Sequence, residues 1–229
     1  AFLKEFDWYL PNSEEEMQIV NHVFDTSYKN YSVIPNGVDF TKFPFFSNAE
    51  RNGFISAARI EPIKNQLQIV DICKDSNFNL SIVGASSPES INYLQAINKK
   101  NSDDNIQLIN QNVSQIELRR LLNSHKVHIL ASFRESPGLS SLEALGSGMN
   151  IVVCESDYCP IETYFNKLIN KHVFICDPYS RKSIKKAMED AHAFSNPQEN
   201  LIIDLNWSNA GILTYLAYEK IIINNSIDV

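Results

Sequence analysis

The sequence predicts an α/β fold: a parallel sheet with helices on both faces. Three observations point there. Short apolar runs of strand length occur at residues 53–58, 78–83, 106–109, 127–130 and 173–176, with a further run ending at Val153. Segments of helical periodicity separate them, so consecutive runs are too far apart for tight hairpins and need crossover connections. The runs are also predominantly apolar, as expected of buried strands.

The elements can be taken in chain order. Residues 7–11, Asp-Trp-Tyr-Leu-Pro, read as a short strand. A helix follows, because Ser13 and Glu16 form a capping box and Met17, Val20 and Phe24 recur at helical spacing. Residues 31–38 give a strand ending in the turn signal Asn36-Gly37, followed by Asp39. After strand 53–58 comes Arg59-Ile60-Glu61-Pro62-Ile63-Lys64-Asn65, then a helix carrying Leu67, Val70 and Ile72. Arg59 and Lys64, five residues apart across a strand-to-helix turn, can converge on one anion at the carboxyl edge of the sheet, where open α/β sheets bind ligands.

Strand 78–83 ends at Gly84, and residues 89–100 read as a helix. Strand 106–109 leads to the loop Asn110 to Val113 and a helix over 114–123, with Leu118, Leu121 and Leu122 inward. Asp103-Asp104 reads as a solvated loop. Beyond the 173–176 strand, a helix over 180–194 turns Ile184, Ala187, Met188 and Ala191 inward, and an amphipathic helix spans 207–223.

The richest stretch is 128–153, HILASFRESPGLSSLEALGSGMNIVV. Leu139, Leu142 and Leu145 form an apolar stripe, and Glu143 shares its edge. Ionised Glu is seldom buried alone, so Glu143 requires a structural donor or a cleft in which a ligand supplies one. Gly138 opens the helix, leaving amides from about Gly138 to Ser141, those of Leu139 and Ser140 included, without intrahelical acceptors: a natural anion site. Glu135 lies before it. Two carboxylates flanking a phosphate site suit a ligand with hydroxyls on both sides of a phosphate, as in a nucleotide sugar. The same local pattern also occurs as plain structure.

Composition narrows the classes. At 229 residues with 44% hydrophobic content, the chain can bury a sizeable core. No apolar run approaches the roughly 20 residues that span a bilayer and no signal-peptide pattern opens the sequence, so a cytoplasmic protein is expected. Cys73, Cys154, Cys159 and Cys176 lack CxxC spacing and read as reduced core thiols, with no metal site expected. A net charge of −7 argues against nucleic acid, and means that local cations must offset it for an anionic ligand. No GxGxxG follows the first strand of the sheet, and Gly146-Ser147-Gly148 comes after its helix, which argues against a nicotinamide-dependent oxidoreductase.

Glu135-x7-Glu143, within SFRESPGLSSLEALGSG, resembles the E-x7-E signature of retaining glycosyltransferases of family four, which have the two-domain GT-B fold. Three further elements resemble that family in its own order: VIPNGVD at 33–39, Arg59 to Lys64, and the IVG strand ending at Gly84. The sequence departs at Ala58, Ala131, Pro137 and Asn150, and CESDYCPIETYF replaces a glycine-rich turn, with Glu162 in place.

The resemblance implies the C-terminal, Rossmann-like, nucleotide-sugar-binding half of such an enzyme. Residues 1–28 would be a remnant of the N-terminal acceptor domain, 29–223 the donor-binding domain and 224–229 a tail. It implies that Glu135 contacts the donor sugar, Glu143 the ribose, and Arg59, Lys64 and the Gly138, Leu139 and Ser140 amides the diphosphate. Gly84, Asn110 and Val113 would lie near the nucleotide. It also implies retaining transfer without metal or other cofactor, a nucleotide-diphosphate sugar of unknown base as donor, and a carbohydrate or lipid-linked acceptor held by the other domain, with peripheral membrane contact open. None of the five histidines matches the family's catalytic histidine, so the chain alone should not turn over. Polysaccharide synthesis is the expected setting. A non-catalytic binding or scaffolding module, or a sugar-nucleotide epimerase on the same fold, remain the alternatives.

Overall fold

The computed structural model describes residues 6–45, 50–101, 105–155, 159–197, 201 and 204–227; Asp103-Asp104 lie outside them. The fold is α/β and Rossmann-like, with a six-stranded sheet in the order β3-β2-β1-β4-β5-β6. The strands are β1 (Phe54–Ala57), β2 (Leu80–Val83), β3 (Ile106–Ile109), β4 (Val127–Leu130), β5 (Asn150–Cys154) and β6 (Val173–Cys176). All pairings are parallel, and Phe54 sits opposite both Leu80 and Val127. Every residue of β1, β2, β4 and β5 is buried, the polar Ser56, Ser81, His128 and Asn150 included, as in a parallel sheet covered on both faces.

Helices cover both faces. On one, α2 (Gln66–Ser76), α3 (Ile91–Lys100) and α7 (Arg181–Ala193) pack Ile69, Ile72, Ile97, Ile184 and Met188 against Phe54 and Ile82. On the other, α4 (Gln115–Ser124), α5 (Leu139–Gly146) and α6 (Ile161–Phe165) pack Leu122, Leu142, Leu145 and Phe165 against Ile55 and Ile151. The four cysteines are buried thiols.

The N-terminal region departs from expectation. Residues 7–11 and 31–38 run side by side through Tyr9 N–H to Asn30 O, Ser32 N–H to Tyr9 O and Ile34 N–H to Pro11 O, but form only a single parallel bridge, Tyr9 with Tyr31. Pro11 has no N–H to extend the ladder. Helix α1 (Glu14–Val23) starts as expected, with Ser13 Oγ accepting from Glu16 N–H at 2.9 Å and Glu16 reaching back to Asn12 N–H at 2.7 Å. Met17 is buried, whereas Phe24 is exposed.

Asn36-Gly37 is not a hairpin turn, since Gly37 is absent from the left-handed residues. Its role is close approach: a Cβ there would stand 2.3 Å from the Asn206 carbonyl carbon, where Val38 bridges to Asn206 just ahead of the last helix. Helix α8 (Trp207–Ile227) is longer than expected and is not amphipathic. Ala210 and Ala217 are its buried residues, while Ile212, Leu213, Tyr215, Leu216, Tyr218 and Ile222 are exposed.

Candidate functional site

The strand order reverses between β1 and β4. Chain leaving β1 crosses toward β2, and chain leaving β4 crosses toward β5, so the loops after these strands diverge and open a crevice at the carboxyl edge. Lys64 lies in the first of these loops and Glu135 in the second. Their ion pair, Nζ to Oε1 at 2.7 Å, spans the switch point, and both side chains are largely buried.

Local structure fixes each partner. Pro62 begins a 3-10 turn, Pro62–Lys64, and Asn65 ends it in the left-handed region, which Asn tolerates better than most residues. The Asn65 amide donates to Ala131 O at 3.1 Å and Pro178 O at 3.0 Å, stitching the turn to the chain after β4 and after β6. Glu135 Oε1 also accepts from Ser132 Oγ at 2.7 Å. Glu135 Oε2 makes no hydrogen bond among the described residues, and a Cβ on Gly138 would lie 3.5 Å from it.

Arg59 and Lys64 are held by different carboxylates. Arg59 pairs with Glu61 at 3.0 Å through a side chain that is 76% exposed, while Lys64 turns to Glu135. All four residues line one cleft of about 500 Å³, together with Arg134 and Ser136.

Gly138 sits at φ +76° and caps α5, placing the next residues in helical conformation. The amides of Gly138, Leu139 and Ser140 have no acceptor among the described residues. Ser141 N–H is already bonded to Gly138 O at 2.8 Å, so the free run is shorter than the sequence suggests. Within the helix Leu142 and Leu145 are buried, but Leu139 is 45% exposed and does not continue the stripe. Glu143 is half-buried, and no described residue hydrogen-bonds its carboxylate. Burial pushes its pKa up to about 7.

Gly84, Asn110 and Val113 carry structural duties. Gly84 lies at φ +150°, and a Cβ there would come within 2.0 Å of Ala58 O; the glycine lets the ends of β1 and β2 pack closely. Asn110 Oδ1 accepts from Ser86 N–H at 2.9 Å, tying the loops after β2 and β3. Val113 packs against the core beneath α4 and α5. None of the three lines the cleft. Glu162 is exposed outside this cleft, and its backbone N–H rather than its carboxylate is engaged, by Glu15 at 2.9 Å.

Sequence reasoning missed the opposite wall of the cleft. Helix α1 supplies Glu15, Glu16, Ile19 and Val20. Glu15 accepts from the N–H groups of Glu162 and Thr163 and from Thr163 Oγ1, so α1 caps α6 across 147 residues or more of sequence. Tyr164 adds a hydroxyl bond to Asn12 O at 2.9 Å and accepts from Asn36 N–H at 2.8 Å. No local pattern signals such a long-range cap. Glu61, by contrast, was visible beside Arg59 as a neighbouring carboxylate. Among the described residues no His, Cys, Asp and Glu group has the arrangement to hold a metal ion, and no helix is long and apolar enough to cross a membrane.

The sucrose-phosphate synthase of Thermosynechococcus elongatus superposes on 94% of this chain with a TM-score of 0.74 at 16% identity, the match covering 58% of that protein. The Anabaena HepE protein, solved in complex with UDP, superposes on 96% with a TM-score of 0.65 at 16% identity, covering 62% of it. The C-terminal domain of the group 1 glycosyl transferase LpcC of Francisella tularensis superposes on 67% with a TM-score of 0.54 at 18% identity, covering 86% of that domain. The chain thus spans about three-fifths of the first two, and the likeness at these identities is one of fold. No curated protein sequence matched. The family model for glycosyl transferases group 1 matches residues 38–203, from the Gly37 junction through all six strands, and on that match the chain belongs to the glycosyl transferases group 1 family.

Proposed function

We propose that this chain is the donor-binding half of a retaining, family-four glycosyltransferase that moves a sugar from a nucleoside-diphosphate sugar to a carbohydrate or lipid-linked acceptor. Polysaccharide synthesis is its proposed setting. The observation that carries this reading is the switch point itself. Lys64 and Glu135 meet there, three acceptor-free amides follow Glu135, and Glu143 waits without a partner one helical turn beyond.

Each feature fits one part of the donor. The amides of Gly138, Leu139 and Ser140 receive the diphosphate at the positive end of α5. Glu135 Oε2, free beside Gly138, accepts sugar hydroxyls. Glu143 accepts the ribose diol. Lys64 and the outward-lying Arg59 stabilise the negative charge that grows on the leaving phosphate as the glycosidic bond breaks, the preorganised electrostatics that usually contributes most to such rates. The acceptor oxygen then bonds to the anomeric carbon on the face the phosphate leaves, and a phosphate oxygen takes the acceptor proton. Glu135 positions the sugar and forms no covalent bond. With two cations and a helix end to take the charge, the scheme requires no metal ion or other cofactor.

Residues 1–28 would then belong to the acceptor-binding half, and the chain by itself would not turn over. One structural relative was solved with UDP, which makes UDP the first nucleotide to try. Thermal denaturation with UDP, GDP and ADP tests the reading. Ligand at a hundred times its dissociation constant adds about 2.7 kcal/mol, a shift of roughly 5–11 °C for a chain of this size. Stabilisation by one base, lost in Glu143→Ala, supports the site; equal stabilisation of the variant removes Glu143 from it.

A further inference from the structure

Beside the cleft, the loops after β1, β4 and β6 present an apolar surface that the donor does not use. Tyr179 is 77% exposed, its ring 5.0 Å from that of Phe133 and inclined by 41°. Ile63, 38% exposed, adjoins them, since Phe133 N–H donates to Ile63 O at 2.9 Å. The platform is rigid. Tyr179 N–H donates to Asp177 Oδ1 at 2.9 Å, Ser180 N–H to Asp177 O at 3.1 Å, and Asn65 holds Pro178 O. An exposed aromatic ring on a loop tied down this firmly adds little to folding, while its flat face stays available to a ligand.

Its position selects the ligand. Ile63 adjoins the platform and also lines the Lys64–Glu135 cleft, and Arg134 and Ser136, from the loop that carries Phe133, line the cleft too. Tyr179 precedes α7, on the sheet face of α2 and α3, whereas Glu143 lies in α5 on the opposite face. A nucleotide gripped by Glu143 therefore points its base away from Tyr179. A chain of sugar units leading out of the cleft past Ile63 meets the platform. The axial C–H groups on one face of a pyranose carry slight positive charge and pack against the negative face of an aromatic ring, leaving the equatorial hydroxyls in water.

We infer that Phe133 and Tyr179, with Ile63, form a subsite that stacks a pyranose ring of the acceptor glycan, one or more units from the reacting hydroxyl. The assignment rests on the donor site lying at Lys64 and Glu135.

Saturation-transfer NMR on the chain tests it with two sets of probes, UDP alone and neutral trisaccharides of glucose, galactose or mannose. Wild type, Tyr179→Ala and Tyr179→Phe are compared, with melting curves to show that an exposed substitution leaves the fold intact. The expected result is a trisaccharide whose ring C–H protons on one face receive saturation in wild type and Tyr179→Phe, and lose it in Tyr179→Ala, while the UDP signal is unchanged. Three results overturn the subsite: no trisaccharide signal that depends on Tyr179, a UDP signal that falls with Tyr179→Ala, or Tyr179-dependent partition into phosphatidylcholine vesicles in place of saccharide contact. No UDP signal in wild type, with the Tyr179-dependent saccharide signal intact, overturns the donor reading and with it the assignment of the stacked sugar to an acceptor.

Discussion

Lys64 Nζ lies 2.7 Å from Glu135 Oε1, joining residues 71 apart in sequence across the β1–β4 crevice. Both side chains are at least 86% removed from water, so each charge depends on the other. Breaking such a pair from one side leaves an uncompensated buried charge. Lys64→Met should therefore cost about 3 kcal/mol in urea denaturation, and Lys64→Met with Glu135→Leu should recover most of it. Arg59→Met, which removes a pair exposed on the Arg59 side, should change stability by less than about 0.5 kcal/mol. Equal losses from Lys64→Met and Arg59→Met would contradict this ranking.

Glu143 should make stability depend on pH. Its folded pKa is raised by burial to about 7, above the ordinary carboxylate value that it recovers on unfolding. Its contribution is therefore fully present below the unfolded pKa, declines as pH rises, and is lost above about 7. Glu143→Gln should flatten that part of the stability profile. If hydroxyls of a ligand stabilise the ionised form, nucleotide binding near pH 7 releases a fraction of a proton. Calorimetry in buffers of different ionisation enthalpy should detect the release in wild type and none in Glu143→Gln.

Arg51 holds two helix ends without an ion pair to a carboxylate among the described residues. Its guanidinium donates to Leu122 O and Asn123 Oδ1 at the end of α4, and to Ser147 O just beyond α5. Burial pushes its pKa down to about 10, so it stays charged at neutral pH and meets the negative ends of two helix dipoles. Arg51→Met should cost about 2–3 kcal/mol, because buried carbonyls lose their charged donor. Lysine should recover less than half, having no planar fork.

Gly84→Ala should act on the fold before it acts on any ligand. The added Cβ meets the Ala58 carbonyl oxygen at 2.0 Å, a backbone atom that cannot step aside, in a conformation that L residues rarely adopt. A loss of more than about 2 kcal/mol in thermal denaturation is expected. Unchanged stability with weakened nucleotide binding would instead make Gly84 a ligand contact.

Much of this was legible in the sequence because it is local. Strands 106–109, 127–130 and 173–176 appear at the residues expected, since short apolar runs between turn residues leave few other conformations. Gly138 opening α5 was readable from local sequence; spacing along that helix posed the question of a partner for Glu143, and the structure leaves its carboxylate without one among the described residues. What could not be read is non-local. The strand at 31–38 shrank to isolated bridges because Pro11, on the neighbouring segment, could not donate. Gly37 looked like a turn residue, but its constraint comes from Asn206, distant in sequence. Lys64 was paired in expectation with Arg59, five residues away, and in the structure with Glu135. Glu15 reaches the cleft only because α1 docks on α6. The 207–223 segment read as an amphipathic helix, but Ile212, Leu213, Tyr215, Leu216 and Tyr218 are spread around α8 and leave it no single buried face.

The central claim is that a diphosphate lies against the first amides of α5. The direct measurement is a ¹⁵N–¹H correlation spectrum of the chain titrated with UDP, GDP and ADP, and with the parent nucleosides. The account predicts that one diphosphate moves the Gly138, Leu139 and Ser140 amide resonances more than any others, and that its nucleoside does not. Those three resonances staying fixed while another surface responds would contradict it.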